Sequence, residues 1–562
     1  MKGYFAPLFA AFLMTAPALA LADLDRRLGP PDGITPTTAT LADVMALNAK
    51  GEGKQLDSFA TRIEEWSTRS GGSDEITTTV WSGKDFETTD AWGPIVSREG
   101  RIGGVRWRQN VNGMLVIQGG IHQEDERFDD TMAAARAGTA GDAVTLLGEV
   151  TSPVAAYIVQ VQPPSDPPTW LFIDKSTGLI AREEGISNDI RFTRTFKDFR
   201  TTDGATVARV VETTDGEFAG DRTETLVSLR LNVPVQPSQI NLPQSTRRLV
   251  DFPAGVTSVQ LPVSMPDPAH NKVVLLDNDF TTAGSAFKRH IVVRVMINGR
   301  GLDFLLDSGA SNILIDKDVV DELNLTQYPL GSQIFGGPTG ASLVTLPELR
   351  VGDLTMKNIV VYSQPFGMRM ADTEKVVGIL GYDFISNVGL KVDWDNRQVT
   401  AFAPGTMPMP QTAVTLPVLL DDLVPYVSAS IGDAASDHFL IDTGADDVYI
   451  FPAFARQHKD VLSDEGLGRK RQIDFGDNYA IGVSGVQEVV PTQLKVFNFG
   501  VPFSNFIVQV FQSDAKYPDH DLDGLIGYQF LHYFNLYFDY PNSRIVLEPN
   551  AQYRSAAHVP AK

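Results

Sequence analysis

The chain of 562 residues contains no cysteine, which excludes disulfide bonds, cysteine nucleophiles and thiolate metal sites. Positive charge is also scarce: 47 Lys and Arg stand against 69 Asp and Glu, a formal net charge of −22. This balance argues against nucleic acid as a partner, since phosphate binding depends on Lys and Arg patches. The histidines form no His-Glu-x-x-His pattern, and no Walker loop or dinucleotide-binding glycine pattern is present. The sequence therefore predicts no metal, no cofactor and no nucleic acid partner.

Long apolar runs are absent beyond the N-terminus, so no later stretch is long enough to cross a bilayer. Residues 1–22 combine Lys2, an apolar run and small residues before Asp23, which is typical of a cleaved export signal. A membrane anchor is the alternative, because the run is close to spanning length. Export of a protein without cysteine favours the bacterial periplasm, with secretion as the other destination.

Strand patterns dominate residues 23–235, which we interpret as an accessory domain built on an antiparallel sheet with one or two helices. Residues 35–50 have helical spacing, and Asp174–Gly178 and Asp203-Gly204 are typical hairpin turns. A Pro-rich passage, residues 236–254, is interpreted as a linker. The predicted strands are Glu75–Trp81, Val105–Gln109, Gly113–Gln118, Ala155–Gln162 and Thr169–Asp174.

An internal repeat fills the C-terminal half. One apolar strand runs into Asp307-Ser308-Gly309-Ala310, and a later one runs into Asp442-Thr443-Gly444-Ala445. Each copy continues through a glycine-bearing segment to a related sequence, Gly378–Gly381 in the first and Gly524–Gly527 in the second. A single Asp-Ser-Gly would indicate only a turn. Two copies in matching apolar frames indicate two related lobes.

Both repeats resemble the lobes of retropepsin-like aspartic proteases, in which Asp-(Ser/Thr)-Gly-Ala precedes a glycine-rich flap and two apolar residues with glycine before a short helix. The resemblance covers residues 255–404 and 411–552. It implies a mainly β fold with a C-terminal pair of closed β lobes, a pepsin-like pseudo-dimer, after the β-rich α+β domain. Two lobes in one chain can pair at high effective concentration; pairing between chains is the alternative, and the oligomeric state stays open. The N-terminal half resembles LolA-like periplasmic domains, without a diagnostic motif.

The resemblance implies a catalytic dyad of Asp307 and Asp442. Two carboxylates roughly 3 Å apart share one proton, so one can act as base for water and the other as acid for the carbonyl. The implied supporting residues are Ser308, Gly309, Thr443 and Gly444. The implied flap glycines are Gly336, Gly337, Gly340, Gly482 and Gly485, and the implied substrate-binding residues are Ala310, Ala445 and Asp446.

The chain departs from the retroviral pattern after the last glycine of each repeat, where Tyr382-Asp383 and Tyr528-Gln529 replace Arg-Asn. Asp446 therefore lacks the arginine partner that the resemblance implies. Ala310 and Ala445 stand where pepsin-like enzymes usually carry Ser or Thr. Because fewer donors would then stabilise the ionised dyad, a pH optimum milder than that of pepsin is predicted.

The leading hypothesis is an exported aspartic endopeptidase that hydrolyses polypeptide substrates without a covalent intermediate. The alternative is a non-catalytic periplasmic binding protein, or a lipid or lipoprotein carrier, built on the N-terminal domain and an inactive cleft. In either case the N-terminal domain could provide membrane or lipid association. Intact Asp, Ser/Thr and Gly residues at both loops favour the enzyme, because an inactive site need not keep them.

Overall fold

The computed structural model describes residues 29–70, 73–118, 124–163, 167–187, 190–214, 221–243, 247–266, 290–330, 341–365, 369–370, 374–420, 423–458, 479–482, 485–511 and 522–555. The predicted export signal and the flap glycines Gly336, Gly337 and Gly340 lie outside these ranges. Within the ranges, no helix combines the length and the apolar character needed to span a membrane.

The N-terminal part is one antiparallel sheet of thirteen strands. Its strands are β1 (Thr61–Ser70), β2 (Ser73–Ser82), β3 (Asp85–Trp92), β4 (Ile95–Ile102), β5 (Val105–Gln109), β6 (Leu115–Ile117), β7 (Val144–Val150), β8 (Ala156–Val161), β9 (Thr169–Asp174), β10 (Ile180–Ser187), β11 (Ile190–Thr202), β12 (Ala205–Thr214) and β13 (Arg222–Leu231). Two meanders, β6 to β1 and β13 to β7, join where β1 pairs with β13.

Two helices cover one face of this sheet, α1 (Leu41–Glu52) and α2 (Glu124–Arg136). Buried Val44 of α1 and Met132 of α2 pack with strands β7 to β9 in one apolar cluster. The predicted helix start at residue 35 was wrong. Thr35 forms a β-bridge with Glu149, and the helix begins only after Thr40, whose side chain caps it in a box with Asp43.

The first C-terminal lobe contains a closed six-stranded barrel, in the order β17-β18-β24-β19-β22-β21 and back to β17. Its elements are β14 (Val250–Asp251), β15 (Ser258–Gln260), β16 (Val263–Ser264), β17 (Val292–Ile297), β18 (Arg300–Leu306), β19 (Leu314–Asp316), α3 (Lys317–Glu322), β20 (Gln327–Pro329), β21 (Ser342–Val351), β22 (Leu354–Gln364), β23 (Arg369–Met370), β24 (Glu374–Leu380), α4 (Tyr382–Ile385), β25 (Gly389–Asp393) and β26 (Gln398–Phe402). Strand β14 comes from the predicted linker and pairs with β22.

The second lobe repeats this barrel with equivalent strands, in the order β28-β29-β34-β30-β33-β32 and back to β28. Its elements are β27 (Val414–Pro417), β28 (Tyr426–Ile431), β29 (Ala434–Ile441), β30 (Val448–Ile450), α5 (Pro452–Gln457), β31 (Tyr479–Gly482), β32 (Gly485–Asn498), β33 (Pro502–Phe511), β34 (Gly524–Ile526), α6 (Tyr528–Leu531), β35 (Phe534–Asp539), β36 (Arg544–Pro549) and α7 (Ala551–Ser555). The mainly β fold class predicted from the sequence is therefore confirmed.

A six-stranded sheet joins the two lobes, with β15, β26 and β25 from the first and β35, β36 and β27 from the second. The junction is the antiparallel pair β25–β35, in which Leu390 faces Phe538. Both residues are buried in a core cluster that extends through both lobes. Backbone hydrogen bonds and shared apolar burial therefore fix the lobes against each other within one chain.

Candidate active site

Both aspartates of the repeat stand where a barrel strand ends. Asp307 follows β18 and Asp442 follows β29. The Asp307 backbone N–H donates to the Leu380 carbonyl at 3.2 Å, and that of Asp442 donates to the Ile526 carbonyl at 3.0 Å. The strands β24 and β34, which end at those carbonyls, run parallel to β18 and β29. Each aspartate is thus held by the neighbouring strand of its own barrel.

The glycine after each of these bracing strands lies against the active loop. A Cβ on Gly381 would come within 2.4 Å of the carbonyl oxygens of Ala310 and Asn312. In the second lobe, a Cβ on Gly527 would come within 2.4 Å of the Asp447 carbonyl oxygen. Since real side chains do not tolerate such contacts, glycine is required for this approach.

Ser308 and Thr443 link the two loops through four hydrogen bonds between lobes. The Ser308 hydroxyl donates to the Ile441 carbonyl at 2.7 Å and accepts from the Thr443 backbone N–H at 3.0 Å. The Thr443 hydroxyl donates to the Leu306 carbonyl at 2.8 Å and accepts from the Ser308 backbone N–H at 3.0 Å. Both side chains are buried. The arrangement places Asp307 and Asp442 next to each other.

The two carboxyl groups lie next to each other, and each accepts a hydrogen bond from a backbone donor of its own loop. The Gly309 N–H donates to Asp307 Oδ1 at 2.8 Å, and the Gly444 N–H donates to Asp442 Oδ1 at 2.7 Å. Each glycine also faces the opposite carboxyl group: a Cβ on Gly309 would lie 2.6 Å from Asp442 Cγ, and one on Gly444 would lie 2.5 Å from Asp307 Cγ. Both glycines therefore make room for the pair.

Burial and mutual repulsion raise the pKa of this pair. The pKa of Asp307 lies well above its usual value because of burial, then because of the Asp442 charge and the hydrogen bond to it. Burial also raises the pKa of Asp442, while the hydrogen bond from Asp307 opposes that rise. Two adjacent carboxyl groups with raised pKa values share one proton and titrate as a pair. As whole residues, Asp307 and Asp442 are partly exposed to solvent.

Two further residues lie near the pair and were not singled out from the sequence. His290 precedes β17. The Ile291 carbonyl beside it accepts from the Leu306 N–H at 2.9 Å, which brings His290 close to the Asp307 loop. Electrostatic interaction with His290 opposes the burial that raises the pKa of Asp442. The corresponding position in the second repeat is Val424, so a comparison of the repeats was the signal that could have identified His290.

The second residue is Tyr540, which follows β35. It is buried, and its ring lies 5.9 Å from that of Tyr382. Burial, Tyr382 and the charges of both aspartates together raise the pKa of Tyr540 well above its usual value. Its distance from both Asp-(Ser/Thr)-Gly-Ala motifs in the sequence explains why no local pattern points to it.

The remaining predicted site residues fall in several places. Ala310 is buried, and Ala445 is partly exposed beside Asp442. Asp446 Oδ1 accepts a hydrogen bond from the Tyr449 hydroxyl at 2.7 Å, so a tyrosine is a partner where the resemblance implied arginine. Gly482 and Gly485 face each other at the end of the β31–β32 hairpin. In the described part of the chain, no group of three or more acidic or histidine side chains could hold a metal ion.

Residues 293–384 match a family model described as aspartyl protease. The matched segment contains the Asp307 loop and the Gly381 turn, and the resemblance drawn from the sequence is confirmed there. Comparison with curated proteins finds no match.

Solved structures similar to parts of the chain include an aspartic proteinase from Irpex lacteus, with 13% identity over 54% of this chain and 100% of that one at a TM-score of 0.30. Basic 7S globulin from soybean has 10% identity over 52% of this chain and 96% of that one, with a TM-score of 0.31. A LolA superfamily protein from Nitrosomonas europaea has 10% identity over 36% of this chain and 99% of that one, with a TM-score of 0.26. At these identities and scores the likeness does not bear on activity.

Proposed function

We propose that the protein is an exported aspartic endopeptidase in which Asp307 and Asp442 hydrolyse peptide bonds of polypeptide substrates through an activated water. The observation that carries the proposal is the pair of adjacent carboxyl groups, held together at the junction of two equivalent barrels by the Ser308 and Thr443 hydrogen bonds. The two lobes supply one aspartate each, so a single chain holds a complete pair.

The mechanism follows from the shared proton. The ionised carboxylate accepts a proton from a water held between the two aspartates, which makes the water a nucleophile. The protonated carboxyl group donates to the scissile carbonyl and stabilises the oxygen as negative charge develops there. Attack by water yields a tetrahedral gem-diol, and proton return to the amine nitrogen breaks the C–N bond. No acyl-enzyme forms, because the nucleophile is water.

The buried hydrogen bonds of Ser308 and Thr443 support this chemistry by holding the carboxyl groups in one geometry. Catalysis by preorganised groups depends on such placement, and an error of 1 Å costs on the order of a hundredfold in rate. The β31–β32 hairpin, which ends at Gly482 and Gly485, is the candidate flap of the second lobe. Closure of a flap over substrate would exclude bulk water from the pair.

The test measures cleavage of an unfolded protein mixture between pH 3 and 8 by wild type, D307N and D442N, with and without pepstatin. Each single substitution removes one member of the pair, so we expect each to abolish cleavage. D433N is the matched control, because Asp433 is exposed in the turn after β28. We expect a pH optimum milder than that of pepsin, since alanines follow both glycines.

Two results would count against the proposal. Full activity of either aspartate variant would mean that the lobes do not form one pair. A wild type without activity at every pH would favour a non-catalytic periplasmic binding or carrier protein, and copurified lipid would then identify the N-terminal domain as the functional part. An optimum well below pH 3 would contradict only the pH argument.

A further inference from the structure

The two lobes support their active loops differently, although their barrels are equivalent. In the second lobe, Gln529 of α6 uses both ends of its amide. Its Oε1 accepts from the Val448 backbone N–H at 3.3 Å, and its Nε2 donates to the Ile507 carbonyl at 3.1 Å. Val448 opens the strand that leaves the Asp442 loop. One side chain thus ties that loop to β33.

In the first lobe the corresponding side chain is Asp383 of α4. Its Oδ2 accepts from the Ile313 backbone N–H at 3.3 Å, as Gln529 accepts from its own loop. The carbonyl group equivalent to that of Ile507 belongs to Val360. Val360 lies two residues before Tyr362, which pairs with Leu314 of β19. Ile507 likewise lies two residues before Gln509, which pairs with Tyr449 of β30. A carboxylate has no N–H to donate to that carbonyl. The first lobe therefore lacks half of the connection found in the second.

The N-terminal domain supplies the missing donors from the turn between β5 and β6, which we call the asparagine turn (Asn110–Met114). Asn110 Nδ2 donates to Asp383 Oδ1 at 2.9 Å. Asn112 Nδ2 donates to the Val360 carbonyl at 2.8 Å, and Asn112 Oδ1 accepts from the Val360 N–H at 2.8 Å. Two asparagines of the N-terminal domain, together with Asp383, therefore make the connection between loop and strand that Gln529 makes alone in the second lobe.

The asparagine turn is built to hold this position. Asn110 Oδ1 accepts from the backbone N–H groups of Asn112 and Met114, at 3.0 and 3.1 Å, which fixes the amide so that its Nδ2 faces Asp383. Gly113 has a φ of +76°, a conformation that favours glycine. Asn110 and Asn112 are 5% and 1% exposed, and Met114 packs in the core of the lobes.

Asp383 depends on these partners because it is fully buried. Burial raises its pKa to about 6, and hydrogen bonds from Asn110, the Ile313 backbone and Asn112 oppose that rise. A buried carboxylate that loses a donor bears the cost of desolvation without compensation. Asn387 adds a neighbouring link, since its Nδ2 donates to the Asp383 carbonyl while its Oδ1 accepts from the Leu249 N–H.

We propose that Asn110 and Asn112 are positioning residues of the first lobe: through Asp383 and Val360 they hold the Asp307 loop in its active geometry. The N-terminal domain is then a permanent part of the working protease and not a removable prosegment. This inference rests on the proposed function for its catalytic part, while the loop order it requires can be measured without any substrate.

The test exchanges the two side chains reciprocally. N110D alone sets two buried carboxylates against each other and removes the donor to Asp383. In N110D/D383N the roles are reversed without a change in shape: the new amide at 383 donates to the carboxylate at 110 and still accepts from the Ile313 N–H. The carboxylate at 110 keeps an oxygen for the Asn112 and Met114 N–H groups.

We expect N110D to lower kcat by at least about tenfold with KM nearly unchanged, because misplacement of catalytic groups acts on the chemical step. Hydrogen exchange at residues 306–316 should become faster in the same variant. The double variant should recover both quantities to within about threefold of wild type, as expected for directly coupled residues. R247A is the matched control. Arg247, in the passage after the N-terminal sheet, donates through its side chain to the exposed Lys357 and Asn358 carbonyls but not to Asp383. Its backbone N–H bond to the Gly113 carbonyl of the asparagine turn is kept in the variant.

Unchanged kcat and exchange in N110D, or a double variant as impaired as N110D, would overturn the inference. If N110D is too unstable to purify, the double variant decides: a wild-type unfolding temperature supports the inference, and equal instability refutes it. If wild type hydrolyses nothing, the proposed function fails, and the exchange rates of the three proteins still decide whether the asparagine turn orders the Asp307 loop.

Discussion

The hydroxyl of Thr443 offers the sharpest test of how the two lobes hold the dyad. Substitution by valine keeps the shape of the side chain and removes only the hydroxyl. The variant T443V loses the hydrogen bond to the Leu306 carbonyl at 2.8 Å and the one from the Ser308 N–H at 3.0 Å. The two hydrogen bonds of the Ser308 hydroxyl, to the Ile441 carbonyl and from the Thr443 N–H, remain in this variant.

The expected magnitude follows from the burial of this junction, where Thr443 is 5% and Ser308 is 1% exposed. Each buried group left without its partner costs about 1–3 kcal/mol, so two groups amount to roughly 2–6 kcal/mol. Part of this cost can be relieved by separation of the loops, which moves one carboxyl group away from the other. Since a shift of 1 Å costs on the order of a hundredfold in rate, we expect kcat of T443V to fall by about that factor.

The assay compares T443V with T443S, which keeps the hydroxyl and loses the methyl group. Peptide hydrolysis and urea unfolding followed by tryptophan fluorescence are measured for both variants and wild type. We expect T443S to stay within about threefold of wild type in kcat, because conservative replacement preserves both hydrogen bonds. A T443V variant with wild-type kcat and an unchanged urea midpoint would refute the reasoning that these hydrogen bonds hold the pair together.

Two more predictions concern the carboxyl pair. Because the folded-state pKa values of Asp307 and Asp442 lie above 3.8, the folded protein binds protons more tightly than the unfolded chain, and its stability falls as pH rises from about 4 through the folded-state pKa values. D307N removes the part of this contribution that comes from Asp307, so its urea midpoint should decline less between pH 4 and 7 than that of wild type; an equal decline would contradict the argument. G309A should lose activity by at least about a hundredfold, because its Cβ would lie 2.6 Å from Asp442 Cγ. In the control G301A the new Cβ meets the flexible side chains of Arg294, at 3.3 Å, and Met296, at 3.5 Å, and an equal loss in both variants would point to a general glycine effect.

The repeat could be predicted from the sequence because its information is local. The apolar strand and the Asp-(Ser/Thr)-Gly-Ala motif that follows it lie within a few consecutive positions. The second copy shows the same apolar residues before the same motif, which supports the interpretation of the first. The hairpin turn at Asp203-Gly204 was predictable for the same reason. Both residues have positive φ, and turn positions with positive φ are occupied preferentially by Asn, Asp and Gly. The helix start at Leu41 was less predictable, because the bridge from Thr35 to Glu149 joins residues far apart in the chain.

What the sequence by itself determined is the pair of lobes, the candidate dyad and the serine and threonine beside it, because each follows from short-range spacing repeated twice. Only the tertiary structure decided how the first lobe is completed. Asn110 and Asp383 are separated by 273 residues, and in the sequence residues 110–112 are only a short connection between two predicted strands. The physical reason is that a buried carboxylate requires hydrogen-bond donors, which can come from any part of the chain that the fold places beside it. No local sequence pattern indicates which distant amide is that donor.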